Sequence, residues 1–270
     1  MAKTWSFDSE LTRNYTRVRQ AFISDFLDGI RTQVPLQSAL DVGCGLGYFS
    51  KFLLERGLNV VAVDGRDENA EEGQRRYPEI TFLTRNAEDP ALPQIGVFDF
   101  VLCVGLLYHL ENPFQAIRNL HALTGKVLIV ESMCAPGPEP ALLLLDECED
   151  DNQGLNYVAF YPTESCLVKM LCRAGFPFVY SFKTLPDDPA FRDTKSRTRE
   201  RVMMVASKAP LDTPKLVMAK EPMRDWDIWA APPSWLRSQI RRVRRELRQI
   251  ASQPASKSSE TNKTPAPVGK

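Results

Sequence analysis

Residues 41–47 read Asp-Val-Gly-Cys-Gly-Leu-Gly, three glycines at every second position just behind an acid. Glycines spaced this way let a backbone turn sharply and approach a ligand where a Cβ would collide. Residues 39–44 form an apolar strand-like run, and residues 47–56 carry a helical pattern. The turn therefore opens a helix whose first N–H groups are free. Asp64 ends a second apolar run, residues 58–64, and lies 17 residues beyond Gly47. It is placed to accept hydrogen bonds from two ribose hydroxyls. Gly43, Gly45, Gly47 and Asp64 together describe a nucleoside site, and Asp41 narrows it. A dinucleotide loop places its third glycine one residue later. A pyrophosphate would be repelled by a carboxylate two residues before the first glycine, whereas an ammonium or sulfonium would be attracted.

A second set of residues suits the reacting partner. His109 follows the apolar run 98–104. It falls at the carboxyl end of a strand, where open α/β sheets bind ligands, and reads either as a general base or as a packing residue at a helix start. Residues 133–162 are too long for an ordinary connection. They hold an acidic cluster, Asp146, Glu147, Glu149, Asp150 and Asp151, which reads as a solvated turn or as an amine anchor. Tyr157 and Tyr161 flank that stretch as pocket linings or as core aromatics. The two histidines and six cysteines show no C-x-x-C spacing. No metal is expected, and the cysteines read as small buried apolar residues in a reducing, cytoplasmic compartment.

The elements that must position these residues follow from periodicity. Leu11, Tyr15, Val18, Phe22, Phe26 and Ile30 recur every three or four residues, predicting a helix over 10–30. Strand-like runs at 39–44, 58–64, 80–84, 98–104 and 126–131 alternate with helices at 47–56, 67–76 and 113–123. Thr163 caps a further helix closed by Gly175, and residues 176–183 and 201–207 supply two last strands. Nearly continuous apolar strands are buried on both faces. The expected fold is thus α/β: a doubly wound, mostly parallel sheet of seven strands with helices on both faces.

The glycine motif with its acid resembles the first motif of the class I S-adenosylmethionine-dependent methyltransferases, at every fixed position of residues 41–47. Asp64 matches the ribose-binding acid of that family. Residues 85–93, RNAEDPALP, resemble its adenine-binding segment, with Asn86 where an Asp is usual, and residues 98–113 resemble its fourth motif. The resemblance covers residues 36–207. It implies a Rossmann-like fold and S-adenosylmethionine as cofactor, held by Asp41, Gly43, Gly45, Gly47, Asp64, Asn86, Ala87, Glu88 and Val104. Residues 105–113 and 156–176 also look distantly like the tRNA wobble-uridine methyltransferases that use carboxy-S-adenosylmethionine. In that group a Tyr before the His and an Arg on a late strand help hold the extra carboxylate; Tyr108 and Arg201 are the nearest matches here.

The formal net charge of zero divides unevenly. Residues 1–207 hold 21 Lys+Arg against 28 Asp+Glu, and residues 208–270 hold 13 against 6. An acidic core disfavours a tRNA substrate, so the leading expectation is methyl transfer to an oxygen or nitrogen of a small-molecule acceptor, with nucleic acid less favoured. An oxidoreductase using NAD and a non-catalytic nucleoside-binding protein are the readings from other classes. Residues 1–35 form an N-terminal helical region and 36–208 the main domain. Residues 209–233 read as a Pro-rich linker and 252–270 as a disordered tail. Residues 234–251 form a basic amphipathic helix suited to the domain's own surface, an anionic membrane, RNA or a dimer. The chain shows no secretory signal or membrane-spanning run, and a chain ending near Lys208 is expected to fold.

Overall fold

A computed structural model describes residues 3–194 and 198–222. Strands β1 (Ser38–Val42), β2 (Asn59–Asp64), β3 (Thr81–Thr84), β4 (Phe98–Val104) and β5 (Thr124–Met133) lie parallel in the order β3-β2-β1-β4-β5. Beyond β5 the sheet continues antiparallel through β9 (Arg201–Ser207), β8 (Phe178–Phe182) and β10 (Leu216–Met218). Helices α1 (Glu10–Ile30), α2 (Tyr48–Glu55), α3 (Asp67–Arg76), α4 (Pro113–Leu123) and α5 (Glu164–Ala174) complete it.

Alternation along the strands creates two cores. Val101 and Cys103 join one cluster with residues of α4 and α5. Phe100, Leu102 and Val104 join another with residues of α1 and α2. Successive side chains on a strand point to opposite faces, so a strand apolar at each position serves both. Register then fixes the site. Asp41 on β1 lies beside Ala62 on β2 and Leu102 on β4, at the carboxyl end of the parallel strands.

Among the described residues the sheet has eight strands, not seven. The additional strand, β10, comes from residues read as a linker. Only Leu216 of its three residues is buried, so no two-residue period marks it. Leu211 is buried too, and its N–H donates to the Tyr180 hydroxyl at 3.1 Å. Gln33 exchanges two hydrogen bonds with the Asp212 backbone. This corrects the linker reading of 209–222 and adds packing beyond Lys208, near which a shorter chain is expected from the sequence still to fold. The long stretch at 133–162 contains a separate hairpin of β6 (Leu142–Asp146) and β7 (Val158–Pro162), with Leu142 to Leu145 exposed on β6. In α1 the buried stripe is Thr16, Arg19, Ile23, Phe26, Leu27 and Ile30, while Leu11 is 82% exposed. The stripe is therefore rotated from the one its apolar residues suggest.

Among the described residues, no helix is long and apolar enough to cross a membrane. The predicted helix at 234–251 and the tail at 252–270 lie outside the described residues.

A chain ending at Lys208 is expected to be less stable by about 3 kcal/mol or more, since two buried leucines contribute about 1.5–3 kcal/mol each. A chain ending at Pro222 should keep that stability. Urea unfolding midpoints of the two check this.

Candidate active site

The glycine turn is built by backbone geometry. Gly43, Gly45 and Gly47 have φ of +77°, +52° and +86°. A Cβ at Gly43 would come within 2.7 Å of Leu106, and one at Gly45 within 2.7 Å of Phe7. The Asp64 carboxylate ties the turn to the neighbouring strand. It accepts from the Gly45 N–H at 2.8 Å, the Arg66 N–H at 2.9 Å and the Asn69 amide at 3.1 Å. Asn69 Oδ1, buried beside it, has no hydrogen-bond partner. An unused acceptor next to an acid, at the wall of a cleft, fits a ligand that brings hydroxyl donors.

That cleft is lined by Gly43, Gly45, Asp64, Asn86, Ala87, Glu88 and His109 among the residues expected from sequence. Asn86 Oδ1 accepts from the Glu88 N–H two residues on, at 2.9 Å. Asp41 does not line the cleft. It is buried beneath the turn, where its carboxyl accepts from the Ser50 hydroxyl at 2.6 Å. Burial pushes it up to about 7; the Ser50 bond opposes that rise and the Asp64 charge adds to it. Gly47 packs against Phe82, where a Cβ would come within 2.6 Å.

A second space of about 570 Å³ adjoins the cleft. Val104, Tyr108 and Arg201 line it, with Tyr15, Arg19 and Phe49. Phe7, Gly43, Gly105, His109 and Asn152 border both spaces, so the two are adjacent there. Tyr161 packs edge-on against Tyr108, with centroids 5.6 Å apart, and Tyr157 is 36% exposed. Both tyrosines expected to bind substrate line neither space.

The wall of the second space rests on Glu131, which is fully buried at the end of β5. Its Oε1 accepts from Arg201 at 2.9 Å and its Oε2 from Arg19 at 3.3 Å. Arg201 also donates to the Tyr108 hydroxyl at 3.0 Å. Burial pushes the Glu131 carboxyl up, but the two guanidinium groups outweigh it and hold it below its usual range. Neither Arg19 nor Glu131 stands out in the sequence: one is a charge on an amphipathic helix, the other an acid ending an apolar strand.

His109 has a partner the sequence hid among surface-like acids. Its Nδ1 lies 2.6 Å from Glu147 Oε1, and both side chains are buried. Burial pushes Glu147 up, yet the bonds from His109 and from the Gly154 N–H leave it below its usual range. Among the described residues, no three His, Cys, Asp or Glu side chains converge as a metal site.

Glu131→Gln strands two buried guanidinium groups without their counter-ion, and it should cost about 3–5 kcal/mol. Tyr108→Phe removes one hydrogen bond and should cost about 1 kcal/mol. Denaturant unfolding of the two variants gives the comparison.

Comparison with known proteins follows the same lines. Residues 40–126 match a family model described as a methyltransferase domain. A tRNA U34 carboxymethyltransferase of Tolumonas auensis is 28% identical over 170 residues, 59% of this chain and 49% of that protein. A ubiquinone biosynthesis O-methyltransferase of Vibrio parahaemolyticus is 26% identical over 128 residues, 45% of this chain and 53% of that protein. The chain thus spans about half the length of the curated relatives it matches. Among solved structures, the N-terminal domain of EvdMO1 with SAH bound shares the fold at a TM-score of 0.56 and 18% identity, over 70% of this chain and 80% of that one. Motif, sheet and matches together make the chain a distant relative of the class I S-adenosylmethionine-dependent methyltransferases.

Proposed function

We propose that the protein transfers a methyl group from S-adenosylmethionine to an oxygen or nitrogen of a small-molecule acceptor. The observation that carries this reading is the junction of cleft and second space at His109, Gly43 and Gly105. When bound, S-adenosylmethionine supplies a methyl group on a cationic sulfur, already activated for in-line transfer.

The chain's own part is binding, orientation and proton removal. Asp64 and the unpartnered Asn69 Oδ1 accept the ribose hydroxyls, while the 86–88 segment lies along the same cleft for the base. Asp41 acts from below, as a negative charge under the turn that favours a cationic ligand. Holding two reactants in line supplies much of the rate. A hydroxyl or amine must also lose a proton, and His109 faces the junction to take it. Glu147 below its usual range is ionised and can only accept, so a neutral imidazole here carries its proton on Nδ1. That leaves Nε2 as the base.

The other readings are weaker. Glu131 takes one donor each from Arg201 and Arg19, so the added carboxylate of carboxy-S-adenosylmethionine would share guanidinium groups that already carry a counter-ion. An NAD pyrophosphate would meet the Asp41 charge from beneath the glycine turn.

Calorimetry with S-adenosylmethionine and S-adenosylhomocysteine tests the proposal directly. Absence of binding by both would sink it. Asp41 adds a pH signature. Its proton leaves at about 7 in the folded chain against 3.8 unfolded, so this group lowers stability as pH rises between those values. Asp41→Asn should therefore melt near the wild type below about pH 4 and progressively above it as pH rises to about 8. Wild-type affinity for S-adenosylmethionine should rise between about pH 6 and 8 as the carboxyl ionises, and Asp41→Asn should abolish that rise. With an acceptor in hand, His109→Gln should lower kcat by about a hundredfold or more. An unchanged kcat would remove His109 from the chemistry.

A further inference from the structure

Glu147 belongs to the hairpin that crosses the mouth of the cofactor cleft, and each of its oxygens meets a different donor. Oε1 is 2.6 Å from His109 Nδ1. Oε2 accepts from the Gly154 N–H at 2.9 Å. The Gly154 carbonyl in turn accepts from Arg66 Nη2 at 3.0 Å, and the Gln153 carbonyl from the same nitrogen at 3.2 Å. Arg66 lies on the far side of the cleft, two residues past Asp64, and residues 151–156 line the cleft between these anchors. A Cβ at Gly154 would sit 2.6 Å from the His109 carbonyl, so the loop rests directly on the turn that carries the histidine.

We propose that Glu147 is a positioning residue that couples closure of the 147–156 loop over the cofactor cleft to the orientation of His109. The inference rests on reading the cleft as the cofactor site and His109 as the base. Two donors, an imidazole N–H and a backbone N–H, converge on one side chain. A carboxylate meets both with two acceptor oxygens; an amide offers one. The same ionised group therefore selects the Nδ1–H tautomer, leaves Nε2 free at the junction and pins the loop. Tyr108, whose ring centroid is 4.0 Å from that of His109, restrains the other face of the ring. Asp64, Arg66 and Glu88 also line the cleft, and Asp151 lines it from the loop itself. With the loop raised, Glu147 leaves with it and the imidazole loses its orienting partner. Proton abstraction is then confined to the state in which the cleft is covered, which limits access of water to the reacting centre.

The chain has two histidines, so nitrogen-15 NMR of the imidazoles in the full chain resolves His109 from His121. Wild type with S-adenosylhomocysteine should show His109 as a single Nδ1–H tautomer with a strongly hydrogen-bonded proton. Glu147→Ala should give a tautomer mixture at His109 with His121 unchanged, and Glu147→Asp should recover part of the wild-type signal. The same Glu147→Ala protein should bind S-adenosylhomocysteine about tenfold more weakly, the worth of one charge-assisted hydrogen bond. Arg66→Ala, which removes neither partner of the His109–Glu147 bond but frees the loop, should also broaden the tautomer distribution. A His109 spectrum indifferent to Glu147 overturns the positioning role, and one indifferent to Arg66 overturns the coupling. If Glu147→Ala does not fold, a wild-type His109 protonated on Nε2 overturns the proposal by itself. Calorimetry on the same samples separates the two levels: no S-adenosylhomocysteine binding by the wild type is a failure of the cofactor reading. Binding with an indifferent histidine is a failure of the positioning role alone.

Discussion

One carboxylate sealed from solvent, Glu131, organises the reacting end of this molecule. Two guanidinium groups reach it from positions 112 residues before and 70 residues after it. Arg19 brings helix α1 onto the sheet's carboxyl edge. Arg201 brings β9, and through its second nitrogen it holds the Tyr108 hydroxyl. Tyr108 lies against His109, so the position of the candidate base is set by an acid it never touches. Burying such a group is weak evidence of stability, because desolvation offsets most of the attraction between the charges. Its effect is on geometry. A leucine at position 131 would satisfy the core, yet it would leave nothing to hold Arg19 and Arg201 at the wall of the second space.

The glycine turn expresses the opposite compromise. Three residues in the left-handed region give the chain a fixed bend, and the collisions a Cβ would make with Leu106, Phe7 and Phe82 show how closely other segments approach it. Asp41 beneath it is an acid held where solvent cannot stabilise its charge, with Ser50 as its hydrogen-bond partner. Folding is weaker for it above neutral pH, and the field it projects upward is stronger for the same reason. Low local dielectric raises both terms together.

Much of this frame was legible in the residues. The runs at 98–104, 67–76, 113–123 and 201–207 emerge with those bounds, because apolar periodicity and their stops agree. Thr163 caps its helix through the Cys166 N–H, and Gly175 closes it with φ of +111°. What the sequence hid shares a cause: each hidden feature depends on a partner distant along the chain. β10 has one buried residue and earns its place only by pairing with β8. Arg19 sits on a helix whose apolar residues point to a neighbouring stripe, and only Glu131 explains its burial. Asn69 reads as a polar residue of a polar helix until Asp64 is placed beside it. Tyr157 and Tyr161, chosen for being aromatic near a long insertion, line neither space; Tyr161 sits on the second strand of the hairpin, while residues 151–156 of its loop line the cleft.

That loop changes the meaning of the acidic cluster at 146–151. Acids in a row on a long connection ordinarily face water, and here three of them accept from donors on other segments or within the loop. Glu147 takes His109 and Gly154. Asp150 accepts from the Ser6 hydroxyl at 2.7 Å, and Asp151 from the Ser6 N–H at 3.1 Å. Ser6 belongs to the N-terminal segment, which is itself clamped where Asp8 accepts two bonds from Arg76, holding Asp8 down at about 2. Two segments some 145 residues apart therefore meet over the glycine turn, joined by side-chain hydrogen bonds rather than by a shared core. Closure entropy grows only slowly with the length of intervening chain, so a junction of few contacts between such remote segments can hold. Their partial exposure also makes them among the first contacts to open. The cover over the cleft is thus tied by contacts that can break without disturbing Glu131 or the sheet. A site that must admit one large ligand and then exclude water needs that separation between a rigid floor and a removable roof.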